Sequence, residues 1–189
     1  CGFENNTAIY AGGGMRCESS SPELIGCFFG DNSAWLGGGV RVDTSTAAFV
    51  GCTFDGNFAA NNGGGMVVRY NSVPTLDNCL FMDNGATNEG GGLWCADLSS
   101  PTLNNCVFDG NTSDSMGGGM AITTESSPVL EDCGFFNNTA AFDGGGIWCA
   151  WTSSPVLNNC TFTTNEAQHG GGMFSTWESS PLLENCTFS

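Results

Sequence analysis

The chain has 189 residues, enough for one domain with a sizeable core. Nineteen carboxylates stand against three arginines and no lysine, for a formal charge of -16, so the clustered cations that nucleic acid or an anionic membrane surface requires are absent. No run approaches the ~18 apolar residues of a membrane helix, which excludes direct membrane insertion by that route.

Internal repetition dominates everything else. Cys-x-Phe recurs at Cys1/Phe3, Cys27/Phe29, Cys52/Phe54, Cys79/Phe81, Cys106/Phe108, Cys133/Phe135, Cys160/Phe162 and Cys186/Phe188, in steps of 25 to 27 residues. An asparagine follows three residues after each of the first seven phenylalanines, at Asn6, Asn32, Asn57, Asn84, Asn111, Asn138 and Asn165. Glycine triplets then begin at Gly12, Gly37, Gly63, Gly90, Gly117, Gly144 and Gly170. All six prolines lie five residues before a cysteine. A period of this length is the mark of a solenoid.

Each repeat resolves into short elements. After each triplet, apolar residues occupy alternate positions, as in Met15/Cys17, Val40/Val42 and Leu93/Cys95, which predicts a strand facing inward. A serine-rich corner follows, then a second alternating stretch carrying Leu24, Phe49, Leu76, Leu103, Leu130, Leu157 and Leu183. The residue before each internal cysteine of the Cys-x-Phe column is Gly, Asn or Asp, the types that tolerate left-handed backbone. A sharp corner is therefore predicted there, with Cys and Phe facing inward on a third strand. With no helical period, three short strands per coil describe an all-β, right-handed parallel β-helix of about seven coils spanning 1–189. Like residues then stack in ladders, and stacking supplies the core that no single coil can build. The asparagine ladder is expected to satisfy turn backbone through its amides.

Phe-x-x-Asn followed closely by Gly-Gly-x and an aliphatic residue resembles the repeats of chlamydial polymorphic outer-membrane proteins. It is similar also to a wider group of bacterial right-handed β-helix surface proteins. The matching positions are the pairs from Phe3/Asn6 to Phe162/Asn165 and the triplets from Gly12 to Gly170. The resemblance implies secretion, surface display and adhesion, and it implies no catalytic residues.

Candidates for chemistry are few. The column preceding the triplets runs Ala11, Leu36, Asn62, Glu89, Met116, Asp143, His169. Glu89 and Asp143 fall two coils apart, roughly 9–10 Å at the ordinary strand spacing, a separation suited to inverting glycoside hydrolysis, and His169 neighbours Asp143. These three are the weak catalytic candidates of a carbohydrate-active enzyme. Arg16 and Arg41 share an outward column, with Arg69 two positions off it. No pattern requires a cofactor, and no metal spacing stands out. Asp43, Asp97, Glu125 and Glu178 on corners leave loose Ca²⁺ binding as the one cation expectation.

The cysteine ladder (Cys27, Cys52, Cys79, Cys106, Cys133, Cys160) places neighbouring Cα atoms about 4.8 Å apart, inside the disulfide window. The pattern leaves two readings open: bridges such as Cys79–Cys106, or inward thiols stacked as small hydrophobes. Trp94, Trp148 and Phe174 fall in one outward column, with Trp151 and Trp177 three residues beyond the last two. This aromatic strip is the expected contact for sugar rings or for another protein, and it makes a carbohydrate-binding module a third reading. Asn5, Asn111, Asn137, Asn159 and Asn185 begin N-x-S/T sequons. Neither end shows a capping repeat, so a segment of a longer repeat protein or a filament protomer that stacks end to end is expected. Together these point to a non-catalytic structural or adhesive protein, extracellular or on the cell surface. Its partners would be its own copies, or a host or cell-surface glycan or protein.

Overall fold

A computed structural model describes residues 1–189. The chain winds into seven coils whose strands pair only in parallel, each coil's strands bonding to those of the next. The first sheet has eight strands, from Gly2–Glu4 to Thr187–Phe188, and carries the phenylalanine ladder. The second has seven, from Met15–Glu18 to Met173–Ser175, following the glycine triplets. The third, also of seven, runs from Glu23–Ile25 to Leu182–Glu184 and carries the leucine ladder.

A fourth sheet corrects the expectation of three strands per coil. It comprises Ser33–Leu36, Phe58–Asn62, Gly85–Ala86, Thr112–Ser113 and Thr139–Ala140. Its last three strands are two residues long, too short to show alternation. The cause is local: two residues after each ladder asparagine sits a small side chain. Ala34, Ala59, Ala86, Ser113 and Ala140 are all buried there, so the backbone runs straight for one more rung before the triplet.

Three demands explain the triplets, seen at Gly117–Gly119. Gly117 has φ 67°, which a Cβ disfavours. A Cβ on Gly118 would stand 2.5 Å from the Thr139 carbonyl oxygen, and one on Gly119 would stand 2.7 Å from that of Gly146. Coils approach backbone to backbone here, and nothing larger than hydrogen fits.

The core is one cluster of 30 buried residues made of the Cys, Phe, Leu and post-triplet columns. From Phe3 to Phe188 successive rings stack with centroids 4.5–5.1 Å apart and planes within 7°. Aromatic pairs of this kind contribute ~0.5–1.5 kcal/mol beyond area burial.

Polar ladders run beside the apolar ones. Each interior asparagine spends its whole amide, as at Asn111. Its Nδ2 donates to the Phe81 carbonyl (3.0 Å) and to Asn138 Oδ1 (2.9 Å), and its Oδ1 accepts from Asn84 N–H and Nδ2. A serine ladder, unforeseen beyond a serine-rich corner, accompanies it. The N–H of each serine donates to Oγ of the serine one coil on, from Ser20 and Ser45 to Ser153 and Ser179, at 3.1–3.3 Å.

Between the two readings of the cysteines, the structure has stacked thiols: all eleven are free. In-register parallel strands point neighbouring Cβ atoms the same way at about the 4.8 Å strand spacing, beyond the ~3.5–4.5 Å a disulfide spans. Instead the thiols from Cys52 to Cys186 in the Cys-x-Phe column donate to a leucine- or phenylalanine-column carbonyl of the preceding coil, Cys106 Sγ to Leu76 O at 3.3 Å and Cys79 Sγ to Phe49 O at 3.5 Å. Burial pushes Cys17 and Cys149 up to about 11 and Cys95 to about 12. Cys52, Cys106 and Cys160 are pushed far above the thiol range, first by hydrogen bonding among neighbouring thiols and then by burial.

Candidate functional site on the outer face of the second sheet

Side chains that point outward from the second sheet form one column: Arg16, Arg41, Val67, Trp94, Ala121, Trp148 and Phe174 pair rung by rung. On one flank runs the column before the triplets, with Glu89 bridging to Met116, Met116 to Asp143 and Asp143 to His169. On the other flank is the corner bearing Trp151 and Trp177. The two sets of candidates thus border a single surface.

Glu89 and Asp143 lie two rungs apart, as the column order predicts. Met116 occupies the rung between Glu89 and Asp143. Glu89 is 9 % exposed, its carboxylate accepts from Asn62 Nδ2 at 3.5 Å, and burial raises its pKa. Asp143 Oδ1 lies 2.9 Å from His169 Nδ1 on the exposed edge. The surface thus holds a buried carboxyl and, two rungs on, an Asp–His pair.

The aromatic strip is also rearranged. Trp148, expected outside, is 1 % exposed. The indoles of Trp151 and Trp177 fold back over it, each meeting it edge-on at 5.7 and 5.8 Å. They stack on one another at 5.0 Å with planes 4° apart, and remain 44 % and 50 % exposed. Trp94 and Phe174 are half-buried beside this cluster. The indole N–H groups of Trp94 and Trp148 are buried without a hydrogen-bond partner.

Trp151 and Trp177 sit at φ 52° and 47°, backbone that bulky residues adopt at a cost of ~1–3 kcal/mol. A sequence cannot show this directly. The signal was a lone aromatic at the corner, three residues after an aromatic on the strand.

All three arginines are committed. Arg16 and Arg41 reach Asp43 at 3.2 and 2.8 Å, and Arg69 reaches Asp97 at 2.7 Å. Arg69 also lies over the rings of Tyr70 and Trp94, 4.4 and 5.0 Å from their centroids. No cation is left for a polyanion, and two of the four acids considered for loose Ca²⁺ binding, Asp43 and Asp97, are already neutralised. Nowhere do three or more His, Cys, Asp or Glu side chains converge as a metal site would need. Of the sequons, Asn111 is buried in its ladder, whereas Asn5, Asn137, Asn159 and Asn185 are exposed corner residues with positive φ.

One feature had no counterpart in the sequence reading. Ile9, Trp35 and Phe58, with Ala8 and Ala34, line an open apolar groove of about 300 Å³ on the fourth sheet of the first coils.

A seven-coil parallel solenoid with ladder packing and a decorated outer sheet face defines a β-helix protein. The family model for the right-handed β-helix region matches residues 1–115 and 112–189, so the chain belongs to that family. No curated protein matches the sequence.

Proposed function

We propose that the chain is a non-catalytic structural or adhesive β-helix that acts outside the cell or on its surface, as a stalk or as a self-associating fibre subunit. The observation that carries this reading is the burial of Glu89, which withdraws one of the two carboxyls of the enzyme reading from the surface where a substrate would lie. The likeness of the Phe-x-x-Asn and Gly-Gly repeats to those of chlamydial polymorphic outer-membrane proteins supports display and adhesion.

Negative-stain electron microscopy at neutral pH is the test: long fibres, or uniform rods that bind a surface partner, are expected. Hydrolysis of any glycan that falls when Glu89 and Asp143 are changed to Ala would replace this reading with a carbohydrate-active enzyme. A second reading, a carbohydrate-binding module, is favoured by the exposed stacked indoles of Trp151 and Trp177. It requires retention of the protein on a neutral polysaccharide.

A further inference from the structure

Aromatic rings gather at the corner after the second sheet in two places, and only one of them has its own cation. At the first, Arg69 lies over Tyr70 and Trp94 while its Nε donates to Asp97 at 2.7 Å. Tyr70 begins a corner column that continues through Asp97, Thr124, Trp151 and Trp177, as the coil-to-coil backbone bonds of that corner show. Trp94 belongs to the outer column that continues through Ala121, Trp148 and Phe174. At the position of Arg69 the later coils carry Ala96, Thr123, Ala150 and Thr176. The aromatic part of the arrangement therefore recurs, enlarged, in the last two coils without a positive group.

Charge favours the same conclusion. No arginine or lysine follows Arg69, whereas thirteen of the nineteen carboxylates do. Glu125, one coil before Thr152, and Glu178, next to Trp177, are both exposed and lie at the same corner, one residue beyond the column that holds Asp97 and the Trp151 and Trp177 rings. Thr124, directly beneath Trp151 in the corner column, is small and exposed, so the Trp151 face turned toward it is uncrowded. A cation over an indole face with a carboxylate at hand is stabilised by both.

We propose that the Trp151/Trp177 corner binds an arginine side chain on a basic segment of a partner protein, seated against Trp151 above Thr124 with Glu125 as counter-charge. This rests on the adhesive reading and names the chemistry of its contact. A neutral glycan would use the same rings without needing the carboxylates, and is the outcome to separate.

The probe is a fluorescein-labelled decapeptide alternating Arg and Gly, followed by fluorescence anisotropy. The same peptide with citrulline for arginine serves as the isosteric neutral control, and cellohexaose serves as competitor. The arginine peptide is expected to bind at least about tenfold more tightly than the citrulline peptide. Trp151→Asn and Trp177→Asn keep a residue that tolerates left-handed backbone. Each is expected to weaken binding about two- to fivefold, the ordinary worth of one exposed cation–π contact, with unchanged circular dichroism. Asp83→Asn/Asp109→Asn, which removes two charges from the corner after the first sheet, is expected to leave affinity within about twofold. Equal binding of the citrulline peptide, displacement by cellohexaose, or undiminished affinity in the double tryptophan variant would overturn the proposal. Detection of glycan hydrolysis would defeat the non-catalytic reading alone, and the peptide measurements would still decide this site.

Discussion

Asn111→Ala tests the ladder account most directly. The substitution deletes four side-chain hydrogen bonds, two donated by Nδ2 and two accepted by Oδ1. It leaves the Asn84 N–H, one Asn84 Nδ2 hydrogen and the Phe81 carbonyl in a site that is 0 % exposed. Each buried polar group left unpaired costs ~1–3 kcal/mol, so three of them give a loss of about 3–9 kcal/mol, a large share of the ~5–15 kcal/mol that holds an ordinary domain. The matched control is Asn6→Ala in the first coil. Asn6 is exposed, and its side chain makes one bond, Nδ2 to Asn32 Oδ1 at 2.9 Å; the expected cost is below about 1 kcal/mol. Urea denaturation followed by circular dichroism gives both numbers, and hydrogen exchange shows whether protection is lost first in the coils flanking Asn111. Equal costs at the two sites, or a loss below 1 kcal/mol at Asn111, would mean that water or relaxation satisfies these groups and that the ladder is not the determinant argued above.

Four further predictions rest on close approach and burial. Gly118→Ala places a methyl 2.5 Å from the Thr139 carbonyl, so the coils must part there; soluble yield and thermal midpoint should both fall far more than for Gly51→Ala, where a Cβ meets nothing within 4 Å and only the left-handed φ of 59° costs ~1–2 kcal/mol. Burial raises the Glu89 carboxyl, so the native state binds that proton more tightly than the unfolded chain and gains stability as pH falls toward the ordinary carboxylate range. Glu89→Gln should accordingly raise the thermal midpoint at pH 7, with the gain shrinking as pH falls through the raised pKa. The buried thiols Cys17, Cys95 and Cys149 favour the neutral form up to about 11 or 12, so their contribution is whole below the ordinary thiol pKa and lost as pH rises toward those values. Under native conditions iodoacetamide should modify Cys1, the exposed thiol, and Cys186, the half-buried one, long before any other, which mass spectrometry of peptides cut after glutamate resolves, since that cleavage isolates residues 1–4 and 185–189.

What the sequence disclosed, and what it withheld, has a common physical origin. In a parallel stack each position meets its own counterpart, so Phe29 over Phe54 or Asn84 over Asn111 could be read as contacts without a structure. The acid column was legible for the same reason, down to the Met116 rung that breaks it. The fourth sheet was hidden because a strand as short as Gly85–Ala86 has no period to detect. Its signature, a small residue two positions after each ladder asparagine, is plain only once Ala86 is seen buried. Trp148 misled because alternation gives the face of a sheet and nothing about what lies over it. The cover comes from Trp151 and Trp177, whose positive φ turns their indoles back across the strand.

Coil length varies, yet the cysteine, phenylalanine, leucine, asparagine and serine ladders keep their register, and only the fourth sheet shifts, between Ala34 and Leu36. The corner after the second sheet holds one left-handed residue in the first two coils, Ser19 and Thr44, and a consecutive pair in each later coil, from Tyr70 and Asn71 to Trp177 and Glu178. The extra residue is absorbed there, and Ser45 still meets Ser72 across the change. This divides the molecule into a framework whose residues are dictated by their counterparts above and below, and an edge whose residues answer to nothing inside. Substitutions and small insertions at that edge are free to diversify what the rod presents while the framework is copied unchanged. The corner carrying Tyr70, Trp151 and Trp177 is therefore where new recognition can be acquired at least cost to folding.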